Sequence, residues 1–263
     1  MAAEPTTVSV RGGEFETHVY RQGSGEPLLW LHGANGMGAG FTPDLEAFAA
    51  HYDVIAPVTP GFDDTAGLEK IDDIHDLVFY YQDLCDALGL TSFHLAGHSL
   101  GGMFAAEIAA ARPDMVKKLM LVDPVGLWMD ETPVTDLFTL LPSELPGVLF
   151  ADPEGPAASA MMKPPATEEE MADAMYLRLV NFSATGKFIW PIPDKGLKKR
   201  LHRIKAPSLI VWGDQDKLVP PAYAQLFASK IANANIAMIK NAGHLPQFEQ
   251  PEAYLKEAIA FFG

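Results

Sequence analysis

Gly97-His98-Ser99-Leu100-Gly101 fits the pattern G-x-S-x-G, and its neighbours give the match meaning. A short apolar run, Phe93-His94-Leu95-Ala96, leads into it, and a helix-forming stretch, Met103-Phe104-Ala105-Ala106-Glu107-Ile108-Ala109, follows at once. That context reads as a strand, a sharp turn and a helix, with serine at the apex. Such a turn forces the serine backbone into strain, so small residues are needed beside it, and Gly97 and Gly101 supply them. It also lifts the hydroxyl out of the sheet and sets it at the positive end of a helix.

Working outward, short apolar runs typical of strands buried on both faces recur along the chain. They are Leu28–Leu31, Val54–Val58, Phe93–Ala96, Leu119–Val122, Leu209–Trp212 and Ile236–Ile239. Two alternating segments precede them, Thr7–Arg11 and Phe15–Arg21, split by Gly12-Gly13 as in a hairpin. Helical segments fall between most strands: Pro43–Ala50, Ile74–Leu88, Leu100–Ala111 and Ala222–Ile231, with Pro251–Phe262 last. This alternation predicts an α/β fold, a mostly parallel eight-stranded sheet flanked by helices. Between Val122 and Pro207 no buried strand is legible, and prolines, methionines and tryptophans accumulate. There, Thr167-Glu168-Glu169-Glu170 reads as a capping box opening a helix through Leu179. Residues 126–195 are therefore expected to form an inserted helical cap over the core of residues 1–125 and 196–263.

The chain has 263 residues, 48% of them hydrophobic, which suits one large domain with an insertion and argues against disorder. Thirty-four acidic against nineteen basic side chains leave a net charge of −15, so nucleic acid and anionic membranes are poor partners. Cys85 is the single cysteine, which excludes an intrachain disulfide, and its helical context suits a core filler. Met1-Ala2-Ala3-Glu4-Pro5-Thr6 lacks the features of a secretory signal, and no apolar run reaches the roughly 18 residues of a membrane span. The expected location is cytoplasmic. No H-e-x-x-H or close ligand cluster indicates a metal, and the glycine-rich stretch His32–Gly38 lacks the lysine of a phosphate loop, so no cofactor is expected.

A serine hydroxyl is a weak nucleophile that needs a base within hydrogen-bond reach, itself oriented by a third group. Later strand ends offer them: Gly213-Asp214-Gln215-Asp216 after one run and Asn241-Ala242-Gly243-His244 after the next. Sites in open α/β sheets assemble at the carboxyl ends of strands, where Ser99, Asp216 and His244 would all sit. Asp214 and Asp123, the latter in Val122-Asp123-Pro124, remain rivals for the orienting acid.

The chain resembles the α/β-hydrolase superfamily over nearly its whole length apart from the cap. His32-Gly33-Ala34-Asn35-Gly36 resembles that family's HG loop, and Gly97–Gly102 its nucleophile elbow. Gly213-x-x-Asp216 with Pro220 resembles its acid loop, and Gly243-His244 with Glu249 and Pro251 its histidine loop. Pro60-Gly61-Phe62 resembles the turn after the fourth strand, although Thr59 stands where that family carries aspartate. The resemblance implies Ser99 as nucleophile, His244 as general base and acid, Asp216 as orienting group, and the Ala34 and Leu100 amides as oxyanion donors. It implies no metal and no cofactor.

The function expected is hydrolysis of small apolar or aromatic carboxylic esters by water through an acyl-serine. Cleavage of carbon–carbon bonds in vinylogous diketones by the same residues is the alternative. A small-molecule receptor with a relic triad is the alternative of another class. Ser99 argues against epoxide hydrolases and haloalkane dehalogenases, which need a carboxylate at the elbow. The pocket wall is expected to include His98, Trp128, Met162, Trp190, Leu218 and Leu245. His32 is expected to brace the loop that follows it, and His94 to be a satisfied core histidine.

Overall fold

The computed structural model describes residues 4–38, 40–63 and 65–263. Met1-Ala2-Ala3 of the N-terminal reading lie outside the described residues. Eight strands form one sheet: β1 (Thr6–Val10), β2 (Phe15–Gly23), β3 (Pro27–Leu31), β4 (Asp53–Pro57), β5 (Phe93–His98), β6 (Val116–Val122), β7 (Ser208–Gly213) and β8 (Ala234–Ile239). Their spatial order is β1-β2-β4-β3-β5-β6-β7-β8. β1 pairs antiparallel with β2 and β2 antiparallel with β4, while every later pair is parallel. The sheet is therefore mostly parallel, with the expected hairpin at one edge.

The helices of the core are α1 (Pro43–Ala49), α2 (Ile74–Ala87) and α3 (Leu100–Ala111). Between β6 and β7 come α4 (Leu145–Leu149), α5 (Pro156–Met161) and α6 (Glu168–Ile189), and the chain closes with α7 (Ala222–Ala228), α8 (Pro246–Glu249) and α9 (Pro251–Phe262). α2 packs on α3, which lies against β3, β5 and β6, while α1 packs on α9. β5 is buried at every position and so is β7, the pattern of strands covered on both faces. Aromatic rings fill the layer between α1 and α9, where Phe48 meets both Tyr254 and Phe262 edge-on.

Among the described residues, no strand lies between Val122 and Ser208. Thr167 caps α6 by accepting the Glu170 amide at 3.1 Å, as the sequence predicts. The helix continues past the expected Leu179 to Ile189, because Asn181, Ala184, Thr185 and Phe188 bury against the body of the protein. Packing holds the second half that periodicity alone did not reveal. No described helix is long and apolar enough to cross a membrane.

Candidate active site

β3 sits between β4 and β5, so the chain direction of strand addition switches there, and a crevice opens beyond the carboxyl ends of β3 and β5. Ser99 follows β5 at φ 53° and ψ −113° and starts α3, an unfavourable backbone for a residue with a side chain. Two glycines permit it. A Cβ on Gly97 would lie 2.3 Å from the Gly101 carbonyl oxygen, and one on Gly101 2.1 Å from that of Leu31. The Ser99 amide donates to the Val122 carbonyl at 2.8 Å, tying the turn to the end of β6.

Ser99 Oγ lies 2.9 Å from His244 Nε2, and His244 Nδ1 lies 2.8 Å from Asp216 Oδ2. An imidazole that donates from Nδ1 to the carboxylate presents a bare Nε2, so the serine hydroxyl donates to it. Asp216 accepts on its other oxygen from the Leu218 and Val219 amides, at 2.8 and 2.9 Å. All three side chains are buried: Ser99 is 7% exposed, Asp216 4% and His244 2%. Glu249 holds the histidine loop, accepting from the Gly243 and Ala151 amides, and the His244 amide donates to the Leu149 carbonyl.

The rivals for the acid separate cleanly. Asp214 accepts the Asn241 amide at the loop surface. Asp123 is fully buried, with Oδ1 accepting the Gly213 amide at 2.9 Å and Oδ2 lacking any partner among the described residues. Burial first, and the neighbouring charge of Asp216 second, push the Asp123 carboxyl well above the usual carboxylate range. A proton on Asp123 turns the orphan oxygen into a donor beside Asp216. Asp123, Asp216 and His244 present ligating atoms within 4.8 Å of one another. The His244 and Asp216 atoms are already committed to each other, so the cluster reads as a proton-sharing group.

His32 Nε2 accepts the Thr59 amide at 3.0 Å, which leaves Nδ1 as the donor to the Gly33 carbonyl at 2.8 Å. That braces the loop, and burial lowers the His32 pKa, keeping the ring neutral. Among the described residues the Ala34 and Leu100 amides have no hydrogen-bond partner, and both residues line the space beside Ser99. His98 donates from Nε2 to the His244 carbonyl at 2.8 Å. Burial and the adjacent His244 push His98 down to about 3, so it is a neutral clamp. His94 is buried and meets Glu26 through Nε2, while Nδ1 has no partner among the described residues, so it is only half satisfied there.

Two cavities meet at Ser99. The larger, about 430 Å³, is lined by His98, His244, Leu218, Leu245, Met161, Leu177 and Phe182 among others. The smaller, about 150 Å³, is lined by Leu100, Trp128, Leu137, Phe138, Ile189, Pro191 and Leu218. Of the wall residues expected, His98, Leu218, Leu245 and Trp128 are found there, and Met162 and Trp190 are not. Met162 packs beside Phe150 and Ala158 in a small separate cluster, because one residue around the helix turns it away while Met161 faces the cavity. Trp190 is 53% exposed and stands edge-on to Phe138 at 5.7 Å, outside the wall to which its neighbours Ile189 and Pro191 contribute.

A family model described as "Alpha/beta hydrolase family" matches residues 28–257. The chain belongs to the alpha/beta hydrolase family. Among its relatives is a 2-hydroxy-6-oxo-6-phenylhexa-2,4-dienoate hydrolase from Burkholderia cepacia, 28% identical over 97% of this chain and 94% of the relative. Lipase 1 from Psychrobacter immobilis is 30% identical over 86% of this chain and 73% of the relative. Among solved structures, a meta-cleavage product hydrolase from Pseudomonas fluorescens superposes with a TM-score of 0.77 at 20% identity, covering 98% and 97% of the two chains.

Asn181 of this alpha/beta hydrolase escapes sequence reasoning. It lies mid-helix in α6 and is 4% exposed. Its Nδ2 donates to the Asn35 carbonyl at 3.0 Å and to Asp63 Oδ1 at 3.2 Å, while its Oδ1 accepts the Asp63 amide at 2.8 Å. Asp63 in turn accepts the Met37 amide. One side chain therefore fastens α6 to the loop carrying Ala34. The only hint in sequence is a buried-type position occupied by asparagine.

Proposed function

We propose that this protein is a serine hydrolase of small apolar or aromatic carboxylic esters, with Ser99, His244 and Asp216 as its catalytic residues. The observation that carries this is the continuous hydrogen-bonded chain from Ser99 Oγ through His244 to Asp216, beside two amides without a partner among the described residues. Ser99 Oγ attacks the ester carbonyl while its proton passes to His244 Nε2. Asp216 holds the ring in the required tautomer and stabilises the imidazolium. The carbonyl oxygen takes negative charge and is met by the Ala34 and Leu100 amides. His244 then protonates the departing alcohol, leaving an acyl-serine. Water, deprotonated by His244, attacks that ester and releases the acid. Residues 126–195 serve as the cap, supplying Met161, Leu177 and Phe182 to one cavity and Leu137, Phe138 and Ile189 to the other.

Ser99→Ala should lower kcat/KM on p-nitrophenyl butyrate by about 1,000-fold or more. Retention of more than a few per cent of the activity would overturn the mechanism. Cleavage of a carbon–carbon bond in a vinylogous diketone is the second reading, favoured by one observation. Arg178 on α6 lines the larger cavity, where a guanidinium suits the carboxylate of a dienoate. Running such a dienoate beside the ester separates the two. A receptor with a relic triad would give a single burst of p-nitrophenol and then stall, whereas an enzyme gives a linear progress curve.

A further inference from the structure

The larger cavity is mostly apolar, yet its wall includes Thr42, Asp44 and Gln247 beside Trp30 and Leu45. Asp44 is 3% exposed and Gln247 6%, so both polar groups were taken out of water where leucine would have sealed an apolar slot. The Thr42 hydroxyl donates to Asp44 Oδ1 at 2.5 Å, which consumes the hydroxyl proton and leaves Asp44 with acceptor capacity to spare. Gln247 Oε1 has no partner among the described residues. Neither residue hydrogen-bonds to Ser99, His244 or Asp216. The wall thus gathers acceptors with no cation among their hydrogen-bond partners.

We propose that Asp44 and Gln247 form a polar subsite that receives a hydrogen-bond donor, an ammonium or a hydroxyl group, on the part of the substrate away from the scissile ester. The subsite deepens the ester-hydrolase reading and rests on it, making the substrate class amino- or hydroxy-bearing esters with an otherwise apolar body. Two acceptors match an ammonium group most fully and a hydroxyl in part, and they disfavour a carboxylate. Arg178 lines the same cavity, so the Asp44 and Gln247 variants, and not the probe ratio alone, decide the subsite. Burial pushes the Asp44 carboxyl up to about 6, so it is ionised at pH 8 and available to a cation.

The test is calorimetric binding of hexylamine, 1-hexanol and hexanoate at pH 8 to the Ser99→Ala protein, alone and combined with Asp44→Asn or Gln247→Leu. Hexylamine should bind at least about tenfold more tightly than hexanoate, with 1-hexanol between. Asp44→Asn should shrink the ratio at least about fivefold, and Gln247→Leu should weaken both donors without affecting hexanoate. Comparison with the variants removes the contribution of the chain's overall negative charge. Equal binding of the three probes, or a ratio untouched by Asp44→Asn and by Gln247→Leu in proteins with unchanged melting curves, overturns the subsite. Parallel p-nitrophenyl butyrate kinetics on the protein with Ser99 intact judge the ester reading separately, since probe binding needs no turnover.

Discussion

At the scale of single residues, Asp123 makes a claim that pH can check. Its carboxyl is raised in the folded state, so it keeps a proton there, whereas the unfolded chain releases that proton above about pH 4. The folded form then binds more protons than the unfolded one, and the Asp123 contribution to stability falls as pH rises from about 4. Asparagine keeps an acceptor for the Gly213 amide and offers a permanent donor towards Asp216 without that cost, and it tolerates the φ of 43° found at this position. Asp123→Asn should therefore melt a few degrees higher than the parent at pH 8, with the difference vanishing near pH 4. A constant difference across that range in scanning calorimetry would contradict a protonated Asp123. Ser99, Asp216 and His244 were legible because each is fixed by short local patterns at strand ends. The choice between Asp214 and Asp216 was legible only by likeness, since two aspartates two residues apart differ in direction and not in composition. Met162 and Trp190 were misplaced for a related reason: which side of a short helix or loop faces a cavity depends on packing that local pattern does not encode.

At the scale of elements, six strands announce themselves through short apolar runs and the hairpin pair through alternation. Helices α1, α2, α3, α7 and α9 show helical spacing or clear stops such as Arg112-Pro113, whereas α8, only four residues long, was not legible. On either side of Ser99, positions 97 and 101 tolerate nothing larger than glycine. Gly101→Ala would drive a methyl into the Leu31 carbonyl, so it should cost about 3 kcal/mol or more or abolish soluble expression, read by urea unfolding. α6 was half legible: its capping box marks the start, but its docking half carries a weak pattern because Asn181 and Thr185 stand among the buried positions. Asn181 gives α6 a task beyond covering the site, since it holds the backbone next to Ala34. If the Ala34 amide is the oxyanion donor proposed above, Asn181→Leu should lower kcat about tenfold with KM changed less than about threefold. A purely structural Asn181 would lower the melting temperature and leave kcat of the folded protein unchanged.

For the whole molecule, one sheet brings Ala34, Ser99, Asp216 and His244, which follow β3, β5, β7 and β8, around a single crevice, and the segment between β6 and β7 supplies part of its wall. A net charge of −15 gives the whole molecule a negative field. Raising salt from about 0.01 M to about 1 M should increase kcat/KM severalfold for an anionic ester such as p-nitrophenyl hemisuccinate and leave the neutral butyrate nearly unaffected. An equal response of both esters would remove the role of the field. Charge and a mostly parallel sheet follow from composition and alternation, whereas the order of the strands and the cavity's shape follow from contacts between distant segments and were not legible. The central claim, covalent catalysis at Ser99, is tested most directly by acid-quenching the protein during p-nitrophenyl acetate turnover and mapping the acetyl group by peptide mass spectrometry. The account predicts an acetyl adduct on Ser99 that forms and decays with turnover. Sustained turnover with that serine unmodified, or with the acetyl group accumulating on another residue, would contradict it.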